Sequence, residues 1–92
     1  MSAAADTCAM QVGRNVRLIR KAQKMTQDDL ATASGVARAS IVAIEGGASG
    51  TKLITLVALA EALDVPTREL FAGWPSPVRR PLSRPILAEW DG

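Results

Sequence analysis

The segment 27–46, QDDLATASGVARASIVAIEG, restricts the fold of this 92-residue chain more than any other part of it. It predicts two short helices, about 27–34 and 37–45, separated by a tight turn. Thr26 is a good N-cap for the first helix, and two acidic residues follow it in the first turn. Gly35 supplies the positive φ that the turn requires. Ala31 is small enough to allow a close crossing of the helices, and Ile41 faces the wedge between them.

The composition favours a single all-α domain. Apolar residues make up 48% of the chain but aromatic residues only 3%. The core must therefore be built from Leu, Ile, Val and Ala, which suits helix packing better than a β-sandwich.

A helix over 10–22 precedes this segment. Val12, Val16 and Ile19 repeat at helical spacing and predict its buried face. The opposite face is basic and carries Arg14, Arg17, Arg20 and Lys21, with Lys24 just beyond the helix. Taken alone, such a face is more often a solvated surface than a binding site.

Two further helices are predicted after the segment. The first, 52–63, has Thr51 as its expected cap and five inward positions, namely Leu53, Leu56, Val57, Ala60 and Leu63. The second, 68–72, follows Pro66 and turns Leu70 and Phe71 towards the core. Ile54 is left outside the buried face, where a second copy of the chain could cover it.

The two ends of the chain differ from the middle. Residues 1–9 are small and polar and are expected to form an arm, with helix as an alternative near its end. Four of the five prolines lie in the tail, 75–92. Three interpretations remain open for this tail: a disordered end, a segment that folds back on the domain or on a second copy, or a binding segment for another protein such as a toxin. A fourth is that its three arginines steer towards DNA.

Several function classes are disfavoured. The chain has no histidine, and Cys8 is its single cysteine. An intramolecular disulfide, a Cys/His zinc site and a nucleophile–base pair are therefore not expected, and neither an enzyme nor a cofactor is predicted. We find no signal-peptide pattern and no apolar run of membrane-spanning length, so a cytoplasmic, nucleoid-associated protein is expected.

Together these segments resemble the Cro/cI-type (XRE) helix-turn-helix family over about two-thirds of the chain. The matching positions are Gly13, 19–21, 25–27, 30–31, 35–36, 40–41, 44–45, Gly47, 53–65 and 68–71. The resemblance implies a five-helix, lambda-repressor-like DNA-binding domain over 10–74, whose helix three enters the major groove.

The resemblance also implies roles for individual residues. Gln27 matches a position that contacts phosphate at the start of helix two. Arg38 matches a base-reading position, where arginine binds guanine O6 and N7. Ala39 and Ala43 match two more base-facing positions, at which they offer only methyl groups. The remaining matches are Ser40 and Lys52 near phosphates, and Arg20 with Glu45 as a salt bridge between helices one and three.

Two positions depart from the family pattern. Ala37 stands where a Ser or Thr cap is usual, at a cost of about 1 kcal/mol. Thr51 replaces the usual proline before helix four. With alanine at three positions of the reading surface, weak sequence specificity or reliance on DNA shape is an alternative to direct readout.

Two functions follow from the resemblance. The first is a homodimeric repressor of transcription that binds double-stranded DNA. The alternative is an antitoxin that binds its toxin and represses its own operon. HipB-type antitoxins end in a Glu-Trp tail, and Glu89-Trp90 lie near the end of this chain.

Overall fold

The computed structural model describes residues 3–73, and this part of the chain contains helices and no strand. Four α-helices are followed by one short 3₁₀ helix. Their bounds are α1 Ala3–Ala22, α2 Gln27–Ser34, α3 Arg38–Glu45, α4 Leu53–Ala62 and the 3₁₀ helix Thr67–Phe71. None of the described helices is long and apolar enough to cross a membrane. The tail 75–92 lies outside the described residues.

Two predicted elements differ from the structure. The expected arm over 1–9, with helix only near its end, is wrong from Ala3 onwards, because α1 begins there and runs without a break into the predicted helix. Its small residues, four of them alanine, are compatible with helix. The fifth element is a 3₁₀ helix rather than an α-helix, since the Glu69 N–H donates to the Pro66 carbonyl three residues back. A segment of five residues is typical of this tighter helix.

The core forms where the four α-helices and the 3₁₀ helix meet. Its fully enclosed side chains include Leu30 from α2, Ile41 from α3, and Leu59 and Leu70 from the last two helices. Ile44 is also buried, so the predicted isoleucine pair of α3 is confirmed.

The prediction for α4 is partly wrong. Leu53 is 68% exposed rather than inward, and Leu59, which was not predicted, is completely buried. The sequence of α4 is apolar on nearly every face, so its periodicity does not define one inner face. Ile54 is 70% exposed, as predicted.

The start and end of α2 follow the sequence closely. The Thr26 hydroxyl accepts a hydrogen bond from the Asp29 N–H at 3.0 Å, and the Thr26 N–H donates to the Asp29 carboxylate at 2.8 Å. These two bonds form a capping box. The pKa of Asp29 is lowered mainly by the Thr26 N–H that donates to its carboxylate, with a smaller contribution from the Thr26 side chain. Gly35 ends the helix at φ 75°, as predicted.

The next two helices begin without side-chain caps. Ala37 occupies the N-cap of α3 and makes no capping bond, as its methyl side chain requires. The expected cap at Thr51 is wrong, because the Lys52 carbonyl accepts the first helical bonds and makes Lys52 the N-cap residue. Thr51 therefore lies one residue before the capping position.

Asn15 and Gln11 fasten the 3₁₀ helix to α1. The buried Asn15 amide donates to the carbonyls of Leu70 and Ala72 at 2.9 and 2.8 Å. Gln11 donates to the Ala72 carbonyl at 3.0 Å and to the Asn15 oxygen at 3.2 Å. These side chains satisfy carbonyl groups at the end of the helix, which have no partner within it.

Gly13 permits the close approach of α1 to α3. A Cβ atom built at this buried position would overlap the Ile44 carbonyl oxygen and lie 3.2 Å from the Glu45 carbonyl carbon. Both groups belong to the backbone of α3, so they cannot rotate away. A glycine in the middle of α1 is therefore a packing requirement of the fold.

We expect Gly13→Ala to lower the free energy of unfolding by about 1–3 kcal/mol, because the two helices must separate. Helix propensity alone favours alanine by about 1 kcal/mol. A net loss of stability would therefore come from the contact of the added methyl group with the backbone of α3. Gly35→Asn is the matched variant: no atom lies near its added Cβ, and asparagine tolerates positive φ. Urea unfolding should show a clearly smaller loss for Gly35→Asn, and equal losses would contradict this role of Gly13.

Candidate nucleic-acid interface

The exposed face of α3 carries the residues that the sequence assigns to base reading. Ile41 and Ile44 hold one side of the helix against the core, which turns the opposite side to solvent. Arg38, Ala39 and Ala43 are all exposed on that side. Val42 is 45% exposed and adds an apolar contact surface. The described face therefore offers one guanidinium group among small apolar side chains.

An ion pair joins α1 to the end of α3. Arg20 Nε lies 2.7 Å from one Glu45 carboxylate oxygen, and Arg20 Nη2 lies 2.9 Å from the other. The two side chains are only 8% and 5% exposed. The structure thus brings together the pair that the sequence suggested, in the bidentate geometry that arginine and a carboxylate favour.

Two further bonds extend this ion pair. Arg20 Nη1 donates to the Met25 carbonyl at 2.8 Å, which ties the loop between α1 and α2 to the pair. Gln27 donates to a Glu45 oxygen at 3.3 Å. The hydrogen bond to Glu45 raises the pKa of Arg20, with a smaller contribution from the charge of Glu45, while burial opposes the rise. The guanidinium therefore stays charged, and it fixes α1, α2 and α3 relative to one another.

Gln27, which the sequence assigns to a phosphate contact, is not a fully exposed side chain. It is half-buried, and its amide nitrogen is engaged with Glu45. Its position at the first residue of α2 still places it beside the N–H groups of the first turn. Sequence reasoning placed Gln27 in the interface but missed its link to α3, because this link depends on the crossing of the two helices.

Basic side chains surround the surface between α1 and the two short helices. One open hollow is lined by Lys21 from the last turn of α1, Lys24 just beyond that helix, Gln27 from α2 and Arg38 from α3. A neighbouring hollow is lined by Arg17 with Lys21, Gln27 and Val42. Arg17, Lys21 and Lys24 were not among the predicted site residues, although their spacing on one helix face is visible in the sequence. We call these three residues the basic edge of α1.

Ser40 and Lys52 lie outside these two hollows. Ser40 is exposed on α3, and Lys52 is exposed at the start of α4. Their assignment to phosphate contacts stays a prediction.

Arg38 has an acidic neighbour that the sequence analysis did not pair with it. Its Nε lies 3.2 Å from Asp28 Oδ1, with the two side chains 61% and 77% exposed. Asp28 is the second residue of α2 and Arg38 the first of α3, so the ion pair bridges the turn at its outer side.

A pair of short helices crossing at a glycine turn, with a second pair of helices behind them, defines a helix-turn-helix domain. A family model described as helix-turn-helix matches residues 16–70. The chain therefore belongs to the helix-turn-helix family, and this confirms the resemblance to its XRE type.

Two curated relatives come from Bacillus subtilis (strain 168). The chain is 43% identical over 61 residues to the uncharacterized HTH-type transcriptional regulator RghRB, covering 65% of this chain and 44% of that protein. It is 46% identical over 55 residues to the HTH-type transcriptional repressor RghR, covering 59% of this chain and 41% of that protein. The chain thus spans less than half the length of these relatives.

A solved structure resembles the described domain. The restriction-modification controller protein C.AhdI from Aeromonas hydrophila superposes with a TM-score of 0.66 at 35% sequence identity. The match covers 68% of this chain and 96% of that one. The resemblance extends over nearly the whole of that controller protein.

Removal of one partner of the Arg20–Glu45 pair should destabilise the domain. We expect Glu45→Ala to lower the free energy of unfolding by about 1.5–3 kcal/mol, because it leaves a mostly buried guanidinium without its acceptor. Glu61→Ala, at an exposed acid of α4, is the matched control and should change the free energy by about 0.5 kcal/mol or less. Thermal unfolding measures both, and equal effects would contradict the expected cost of leaving Arg20 without its carboxylate partner.

Proposed function

We propose that this chain is a sequence-specific DNA-binding transcriptional regulator that inserts α3 into the major groove of double-stranded DNA. The observation that carries the proposal is the joint geometry of α3 and the basic edge. Among residues 3–73, the outer face of α3 is exposed, and cations flank it along α1. A helix of this size fits the major groove, and flanking cations are suited to the phosphates on either side.

The membership of the family and the names of its relatives support the same function. RghR is named as a repressor and C.AhdI as a controller protein. Repression is therefore the direction of control that we propose. In this proposal Arg38 reads a guanine, Ala39, Val42 and Ala43 contact thymine methyl groups, and Gln27, Ser40 and Lys52 contact phosphates.

The test starts with selection from a randomised duplex library, because it requires no assumption about the operator. Wild type should enrich one motif and bind it much more tightly than a scrambled duplex. We expect Arg38→Ala to weaken binding to the selected duplex by about 1–3 kcal/mol, the value of one bidentate contact with a base pair. Binding to the scrambled duplex should change far less.

Arg68→Ala provides the matched control, since it removes the same charge from an exposed position on the 3₁₀ helix. It should leave the difference between the two duplexes unchanged. Failure of wild type to enrich any motif would overturn the proposed function. Enrichment with unchanged selectivity in Arg38→Ala would remove Arg38 from the reading surface.

We further propose that the regulator acts as a homodimer on a two-fold symmetric operator. Leu53 and Ile54 are exposed side by side at the start of α4, and Leu53 also lines an apolar groove with Cys8, Val12 and Phe71. A second copy covering this face would bury apolar surface that a monomer leaves in water. Two recognition helices would then contact half-sites roughly 34 Å apart.

Sedimentation equilibrium tests the dimer. We expect wild type to dimerise and Ile54→Ser to shift the equilibrium towards monomer by about tenfold or more, a loss comparable to exposing one large aliphatic side chain. Leu18→Ser is the matched control, because Leu18 is 53% exposed on α1 and does not line the groove that contains Leu53. A monomeric wild type, or an equal effect of both variants, would contradict this interface.

The antitoxin alternative depends on Glu89 and Trp90, which lie outside the described residues. No contact among residues 3–73 favours it over the regulator.

A further inference from the structure

The exposed ion pair between Asp28 and Arg38 has no role in the proposed function so far. Asp28 is not needed for the cap of α2, since the capping box is formed by Thr26 and Asp29. It also places a negative charge in a hollow whose other charged lining residues are Arg20, Lys21, Lys24 and Arg38, where phosphates are expected to approach. An acid at that place weakens the attraction of DNA unless it serves another purpose.

We propose that Asp28 is a positioning residue that raises the sequence selectivity of DNA binding by holding Arg38 towards the base edge and away from phosphates. This inference rests on the proposed function of α3. It assigns to Asp28 no contact with DNA of its own, only an effect through Arg38.

The geometry of the pair supports this role. Asp28 Oδ1 lies nearest to Nε of Arg38, the nitrogen next to the aliphatic stem, at 3.2 Å. A carboxylate at Nε restricts the rotation of the guanidinium and leaves its two Nη groups available for a base. A free arginine at this exposed place could instead bind whichever phosphate is nearest. Such contacts add affinity for every sequence alike and lower the ratio of specific to non-specific binding.

The charge of Asp28 acts in the same direction. Phosphates that approach Arg38 from the side of α2 also approach Asp28, so a backbone contact by Arg38 brings two negative groups together. A guanine in the major groove presents neutral acceptors and does not carry this penalty. The pair therefore discriminates between two targets of the same guanidinium.

The experiment measures discrimination at one base pair. The duplex selected by wild type is altered by single base-pair substitutions, and Arg38→Ala identifies the position at which Arg38 discriminates. We expect Asp28→Asn to reduce discrimination at that same position by about two- to fivefold, the range of an exposed ion pair. Affinity for the scrambled duplex should rise, with a steeper dependence on salt, since Arg38 becomes free to bind phosphate.

Three further variants separate positioning from simple charge removal. Asp29→Asn removes the same charge one residue away and keeps an oxygen that can accept the bond from Thr26. It should leave discrimination at the Arg38 position unchanged. Asp28→Glu should restore most of the discrimination. In the Arg38→Ala background, Asp28→Asn should have no effect on that position, because a residue that acts through Arg38 cannot act without it.

Unchanged or improved discrimination in Asp28→Asn overturns the inference, as does an equal loss in Asp29→Asn. A loss that persists without Arg38 would instead show that Asp28 contacts the DNA or supports α2 directly. Circular dichroism confirms that each variant is folded before binding is measured. If wild type selects no motif, the proposed function itself has failed, which is a different outcome from a selective wild type with an indifferent Asp28.

Discussion

The bidentate ion pair between Arg20 and Glu45 determines how the three helices of the candidate interface are held. Arg20 reaches Glu45 at the end of α3 and the Met25 carbonyl in the loop before α2, while Gln27 joins Glu45 from the first residue of α2. A mostly buried ion pair gains little net stability over an apolar pair of the same shape, because both charges lose their hydration. Its contribution is geometric, since a planar guanidinium and a planar carboxylate bind well in few orientations. The exposed face of α3 therefore keeps a defined angle to the basic edge of α1.

Much of this arrangement could be predicted from the sequence, because local chemistry and tertiary packing agree. Thr26 and Gly35 define the ends of α2 by hydrogen bonding and by backbone conformation, and neither depends on distant residues. Packing contradicted the sequence pattern where an element is apolar on all sides, as at Leu53 and Leu59 of α4. A helix that is apolar on nearly every face has no preferred inner face by itself. Which leucine is buried therefore depends on how the neighbouring helices pack against it.

The candidate site also has one feature that the sequence predicts and one that depends on the assembled fold. The exposure of α3 follows from the burial of Ile41 and Ile44, and this could be inferred from spacing alone. The ion pair of Asp28 with Arg38 could not, because the two residues come together only through the angle at which α2 and α3 cross. In the sequence, both acids of the first turn of α2 have the same favourable position beside the helix dipole. The structure gives the capping role to Asp29 and leaves Asp28 free to act across the turn.

The distribution of charge is more informative than the net charge of +2. Lys21 and Lys24 face the hollow beside α2 without an acid bound to them in the described ion pairs, whereas Arg20 and Arg38 each have a carboxylate partner. Lysine ammonium groups on flexible stems suit phosphates, which differ little from one base pair to the next, and arginine requires orientation to read a base. The acids therefore lie beside the two side chains whose direction matters. In the proposed function, this arrangement combines general attraction to DNA with selective contact, since each carboxylate reduces the attraction while orienting a guanidinium.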